Sequence, residues 1–298
     1  MNNLLHFDAV SASILTGGSL IPPLDHTEAG LPGGASDWRM IMVDESIAGV
    51  AGAGEIFGTG EQQAILILPL SASVVLDSSF NRGGDILVFD EDADAWDILV
   101  SGSNAIISNG FTNTIVPVGP AGLKVQFDDG ERLLRVDTDQ QEVLIGNQVV
   151  TTDYTAISAP AGSANSDPDF IVDPEAVGRV LLNPEGQIYL LGFFDIFGTD
   201  QEETLFLLNG EFDLDPSFNR GGDTIVLPSD RDTFEAYVDG STAIFENAPL
   251  LITIPVGANG TEFSFADADE QLLYVDLQQG KVFIGDQELT NTPMTLMG

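Results

Sequence analysis

Short apolar runs separated by Gly, Asn, Asp and Pro recur along most of the chain. Residues 64–68 (Ala-Ile-Leu-Ile-Leu) and 86–89 are two of them. Residues 114–118, 123–127 and 133–136 follow at regular intervals, and 143–145 lead into the turn signal Gly146-Asn147. Residues 97–107 read as a hairpin with Ser101-Gly102 near its turn. The second half repeats the pattern. Strand candidates lie at 187–191, 204–208 and 224–227, and residues 234–245 read as a hairpin in which Asp239-Gly240 suits a type I′ turn. Residues 262–265 alternate polar and apolar, and 272–275 and 281–284 are joined across 277–280 as a further hairpin. No useful stretch follows the helical period. Many short strands with frequent turns predict an all-β sandwich or barrel.

The two halves are copies. Asp77-Ser78-Ser79-Phe80-Asn81-Arg82-Gly83-Gly84-Asp85 returns as Asp215-Pro216-Ser217-Phe218-Asn219-Arg220-Gly221-Gly222-Asp223, with only Ser78 and Pro216 differing. Ile56-Phe57-Gly58-Thr59 returns as Ile196-Phe197-Gly198-Thr199, and Pro117-Val118-Gly119 as Pro255-Val256-Gly257. Two copies of this size are foldable domains rather than short repeats. The expected architecture is therefore two tandem duplicated β-sandwich domains, at 56–152 and 187–298. An irregular N-terminal segment, 1–55, precedes them as a possible assembly arm, and a linker, 153–186, joins them. Pro174 to Val180 is the one place where a helical turn is expected.

Charge changes the picture more than hydropathy does. Hydrophobic residues make up 43% of the chain, enough for packed cores, yet 47 acidic residues face nine basic ones and the net charge is −38. Self-repulsion of that size calls for divalent cations or high salt. The second remedy is that of an ordinary halophile protein. Nucleic acid is excluded as a partner, because no basic patch can neutralise phosphates, and an anionic membrane surface is disfavoured likewise. There are no cysteines, so disulfides and thiolate chemistry are absent. No apolar run reaches bilayer length, so no transmembrane segment is expected. Residues 1–8 lack the basic region of a cleaved signal. The chain is expected to be cytosolic, exported without such a signal, or a mature fragment.

The recurring acids are the candidate chemistry. Asp77, Asn81 and Asp85, with their counterparts Asp215, Asn219 and Asp223, set oxygen-bearing side chains on a turn with two glycines, an arrangement that suits Ca2+. The competing reading is structural: Phe80 and Phe218 as core anchors, the glycines supplying positive φ, Arg82 and Arg220 pairing with a neighbouring acid. Asp92 and Asp94, which recur as Asp230 and Asp232, have the spacing of a calcium loop. They fail the EF-hand pattern, because Ala95 and Ser101 stand where a glycine and a bidentate glutamate belong. Asp129 and Asp267 mark a third acidic turn. Neither repeat contains histidine, so triads and histidine metal sites are unavailable there and an enzyme is not expected.

The run from Phe197-Gly198-Thr199 through the 215–223 motif, with Ile254-Pro255-Val256-Gly257 and Val282-Phe283-Ile284-Gly285, resembles repeat modules of type I-secreted, calcium-associated surface-layer-like and adhesin proteins of Gram-negative bacteria. The resemblance implies export without an N-terminal signal, β-sandwich modules and calcium outside the cell. The glycine-rich nonapeptide array that usually accompanies such export is missing. The expected function is an extracellular, cell-surface structural protein that assembles with itself into a layer or filament. The alternative is an adhesin binding a cell-surface glycan or a partner surface.

Overall fold

The computed structural model describes residues 36–82, 84–160, 162, 176–220, 222–267 and 270–297. The readings made for 1–35, including His6, His26 and the apolar arm, and for 163–175, lie outside them. Strand β1 (Trp38–Ile41) opens the described chain. It is followed by β2 (Ile47–Phe57), β3 (Ala64–Leu76), β4 (Ile86–Phe89), β5 (Asp97–Ser101), β6 (Asn104–Ser108), β7 (Thr112–Pro117), β8 (Leu123–Phe127), β9 (Gly130–Asp137), β10 (Glu142–Ile145), β11 (Gln148–Val149) and β12 (Thr155–Ala156). The second series is β13 (Gly178–Leu182), β14 (Gln187–Phe197), β15 (Thr204–Leu214), β16 (Thr224–Val226), β17 (Glu235–Asp239), β18 (Thr242–Asn247), β19 (Leu250–Pro255), β20 (Thr261–Ser264), β21 (Glu270–Asp276), β22 (Lys281–Ile284), β23 (Gln287–Leu289) and β24 (Met294–Thr295). Arg39–Gly178 form one unit; Ser36–Trp38 and the chain from Arg179 onward form the other. The segment 153–186, expected to be a linker, thus contributes β12 and β13. The turn expected to be helical contains the start of strand β13 instead.

Within the first unit β2 runs parallel to β3, with Ile47 opposite Ala64. The first half of β3 is parallel to β4, and β4 to β8. Its second half is parallel to β7. Antiparallel strands complete the unit: β7–β6–β5–β12 on one side and β8–β9–β10–β11 on the other. The second unit repeats the plan. There β14 is parallel to β15, and β15 to both β16 and β19. β16 is parallel to β20.

This overturns the β-sandwich. A sandwich needs antiparallel sheets facing each other, whereas here the central strands β2, β3, β4, β7 and β8, and their counterparts in the second unit, pair in parallel and stack as coils of a β-solenoid. Regular strand spacing and frequent turns fit both architectures, which is why spacing misleads. The discriminating signal is burial on both faces. Parallel strands with covered faces carry unbroken apolar runs instead of alternation. Ala64, Ile65, Leu66, Ile67 and Leu68 are all buried, as are Ile188, Tyr189, Leu190 and Leu191. The coils are closely spaced: a Cβ on Gly210, at φ +127°, would fall 1.8 Å from the carbonyl oxygen of Gly192. Only glycine fits there.

The hairpins expected at 97–107, 234–245 and 272–284 form. In the second, Asp239 pairs with Thr242, so the loop is Gly240-Ser241 rather than Asp239-Gly240. Positive φ falls on Gly240 alone, so the loop is not type I′.

Candidate functional site

The repeated motif folds identically in both units. Asp77 (φ −77°, ψ 172°) and Asp215 (φ −78°, ψ 166°) cap 3₁₀ turns at Ser78–Asn81 and Pro216–Asn219. The Asp77 Oδ1 accepts from the backbone N–H of Ser79 at 3.2 Å, from that of Gly58 at 3.1 Å, and from the Ser79 hydroxyl. Asp215 does the same with Ser217 and Gly198. This explains why the Phe-Gly-Thr run recurs. A Cβ on Gly58 would lie 2.6 Å from the Ser79 Oγ, and one on Gly198 would lie 2.8 Å from the Ser217 Oγ. Phe80 and Phe218 are buried anchors.

Asn81 and Asn219 bind a different element. Their Nδ2 groups donate to the carbonyls of Pro117 and Pro255, and Gly119 and Gly257 leave room for the asparagine side chains. The Pro-Val-Gly run is thus the docking partner of the motif. The buried Oδ1 of each asparagine has no hydrogen-bond partner. Asp85 and Asp223 are fully buried and reach a third element: Asp85 Oδ1 accepts from the Gln63 N–H at 2.8 Å, and Asp223 Oδ1 from the Glu203 N–H at 3.0 Å. The motif is a three-way clasp: its Asp, Asn and Asp side chains each tie it to a different segment.

The remaining sequence-predicted ligands stand apart. Asp92 and Asp230 precede 3₁₀ turns at Ala93–Ala95 and Arg231–Thr233 without capping them through their side chains. Asp92, Asp94, Asp230 and Asp232 are exposed. Among the described residues no group of three or more His, Asp or Glu side chains is disposed to hold a metal ion. In the motif, Asp77, Asn81 and Asp85, like Asp215, Asn219 and Asp223, each hydrogen-bond a different element.

Two features escape the sequence reading. The first is Glu203, which is buried beside Asp223 and accepts from both the N–H and the hydroxyl of Thr199. Burial, then the neighbouring Glu203, pushes the Asp223 carboxyl up to about 7. The second is Arg132, 4% exposed, which grips Asp129 through two bonds of 2.6 and 2.5 Å and also donates to the carbonyls of Gly130 and Ala159. That guanidinium, with the Ala93 N–H, holds Asp129 below the usual carboxylate range. A buried Glu preceded by two polar residues, in a place where the other copy has Gln, was the available signal for the first. An Arg three residues after Asp129, at the start of strand β9, was the signal for the second.

No family model matches the chain, and no curated protein matches it. Among solved structures, an extracellular lipase from Serratia marcescens is 12% identical, with 68% of this chain and 36% of that chain covered and a TM-score of 0.17. At that score the two folds do not superpose, so nothing about this chain follows from that protein's activity. No helix among the described residues is long and apolar enough to cross a membrane.

Proposed function

We propose that the protein is an extracellular, cell-surface structural protein that assembles with copies of itself into a layer or filament, with Ca2+ as its stabilising counter-ion. One observation carries the reading: the polar residues kept in both copies are engaged in holding turns together, so what duplication preserved is architecture. Calcium acts through the exposed acidic turns, at Asp92 and Asp94 and at Asp230 and Asp232, where it offsets a net charge of −38. Outward apolar side chains recur as well, with Leu133 37% and Leu272 44% exposed at equivalent positions. Electron micrographs and light scattering of the full chain, in calcium and in chelator at matched ionic strength, test the proposal. Calcium-dependent particles and a raised melting temperature are expected. Equal behaviour in both media overturns it, and rescue by sodium chloride alone points to salt adaptation.

A second reading, glycan binding, is favoured by one feature. Tyr274 and Phe283 pair across β21 and β22 with ring centroids 5.7 Å apart, half-exposed beside Leu272. Arg135 and Leu144 hold those positions in the first unit. Binding of neutral oligosaccharides that quenches tyrosine fluorescence, and is lost in Tyr274→Ala, would support this reading over assembly.

A further inference from the structure

The two copies differ at the centre of the clasp. In the first unit Gln63 donates its backbone N–H to the Asp85 carboxylate, and its uncharged side-chain amide donates to the Thr59 hydroxyl. In the second, the Glu203 N–H makes the same bond, but the side chain is a carboxyl that lies within hydrogen-bond reach of Asp223, with Asp223 fully buried and Glu203 1% exposed. Both Glu203 oxygens already accept from Thr199, while Asp223 Oδ2 is buried and has no donor. Two like charges in a buried contact repel strongly; one proton turns the repulsion into an O–H···O bond.

We propose that Glu203 and Asp223 form a proton-operated clasp. One proton on Asp223 bridges the carboxyls and locks the 199–203 loop to the motif. Its loss as the medium rises through neutrality releases that loop in the second unit more readily than the matching loop of the first, where Gln63 brings no second charge.

The surroundings leave the pair no other relief. The charged groups around it are Glu202 on its own loop, Glu262 on β20, whose N–H donates to the Asp223 carbonyl, and Asp215 and Arg220 within the motif. Three of the four are acids, and Arg220 is exposed. Burial is the leading cause that holds the Asp223 proton up to about 7, with Glu203 second. Asp213, raised by burial and then by Asp195 opposite it in the β14–β15 register, acts in the same direction from a different place. The readout must therefore be local.

Hydrogen exchange of the full chain, read by mass spectrometry from pH 4 to 8, supplies it. The protection of amides 199–207, corrected for intrinsic rate, should fall by up to about tenfold per pH unit until about pH 7, and more steeply than that of amides 59–67. Glu203→Gln, which copies the first unit, should flatten the response. Gln63→Glu should create it at 59–67. If Glu203→Gln keeps the wild-type slope, or Gln63→Glu gains none, the clasp is overturned; if Glu203→Gln does not fold, the Gln63→Glu arm decides.

Discussion

The two units share a backbone and differ in where they bury charge. Their motifs agree closely: Arg82 and Arg220 both close the 3₁₀ turn at φ −117° and ψ −31°. Yet the first unit buries Arg132, whereas in the second Gln271 holds that place and the buried arginine is Arg231, where the first has Ala93. Gln63 gives way to Glu203. Glu55 opposite Val75 gives way to Asp195 opposite Asp213. Duplication has thus fixed the hydrogen bonds that shape the turns while electrostatics drifted around them. A hydrogen bond with set geometry tolerates few substitutes, while a buried charge can be satisfied from any element that reaches it.

The largest expected break between the units is in pH response. Asp223 has a raised folded-state value, so its contribution is fully present below about 3.8 and is lost as pH rises through about 7. The second unit therefore loses stability as the medium turns from acid to neutral. Asp129 is lowered, so its contribution to the first unit is present above 3.8 and is lost as pH falls through the folded value. Asp276, lowered by the N–H groups of Gln279 and Gln278, gives the second unit an acid-side loss as well. Exchange-detected unfolding from pH 2 to 8 should show the second unit weakening toward pH 7 more steeply than the first. Parallel curves for the two units would refute this.

Arg132→Ala should follow, at roughly 3 kcal/mol in the first unit, because four bonds from a buried guanidinium are removed. Gln271→Ala should cost the second unit less than about 1 kcal/mol. Urea melts resolved by unit measure both. Asp77→Ala and Asp215→Ala should then cost about 1–2 kcal/mol each, equally in the two units, by loss of the turn cap. Unequal losses would show that the motif does different jobs in the two copies. The smallest effect is expected from Phe283→Leu, about 0.5–1 kcal/mol from the ring pair with Tyr274, visible only in the second unit's thermal midpoint.

The sequence revealed the duplication, the strand positions and the importance of the motif, because identical residues and turn chemistry are local signals. It did not reveal that strands stack in parallel. That follows from which strand lies beside which, and the clue was the missing alternation in runs such as 64–68. Oxygen-bearing residues on one turn read as a cation cage; in the structure Asp77, Asn81 and Asp85 face three different elements. Glu203 stayed hidden because its partner is distant in sequence, and only the Gln-to-Glu change between copies marked it.

Tandem copies this alike risk pairing with each other's strands while they fold. Long-range parallel ladders prolong that danger, since they form late and slowly. The bulges suggest how the chain keeps its copies apart. Between β2 and β3 the register jumps from Val50–Ile67 to Gly52–Ala72, around Pro69; between β14 and β15 it slips only from Leu190–Leu207 to Leu191–Asn209. A strand of one copy laid against the partner from the other would meet a loop of the wrong length. Its second half would then fall out of step with its hydrogen bonds. The unequal bulges thus work against an exchange of β2 with β14, or of β3 with β15, in the parallel ladders as they form.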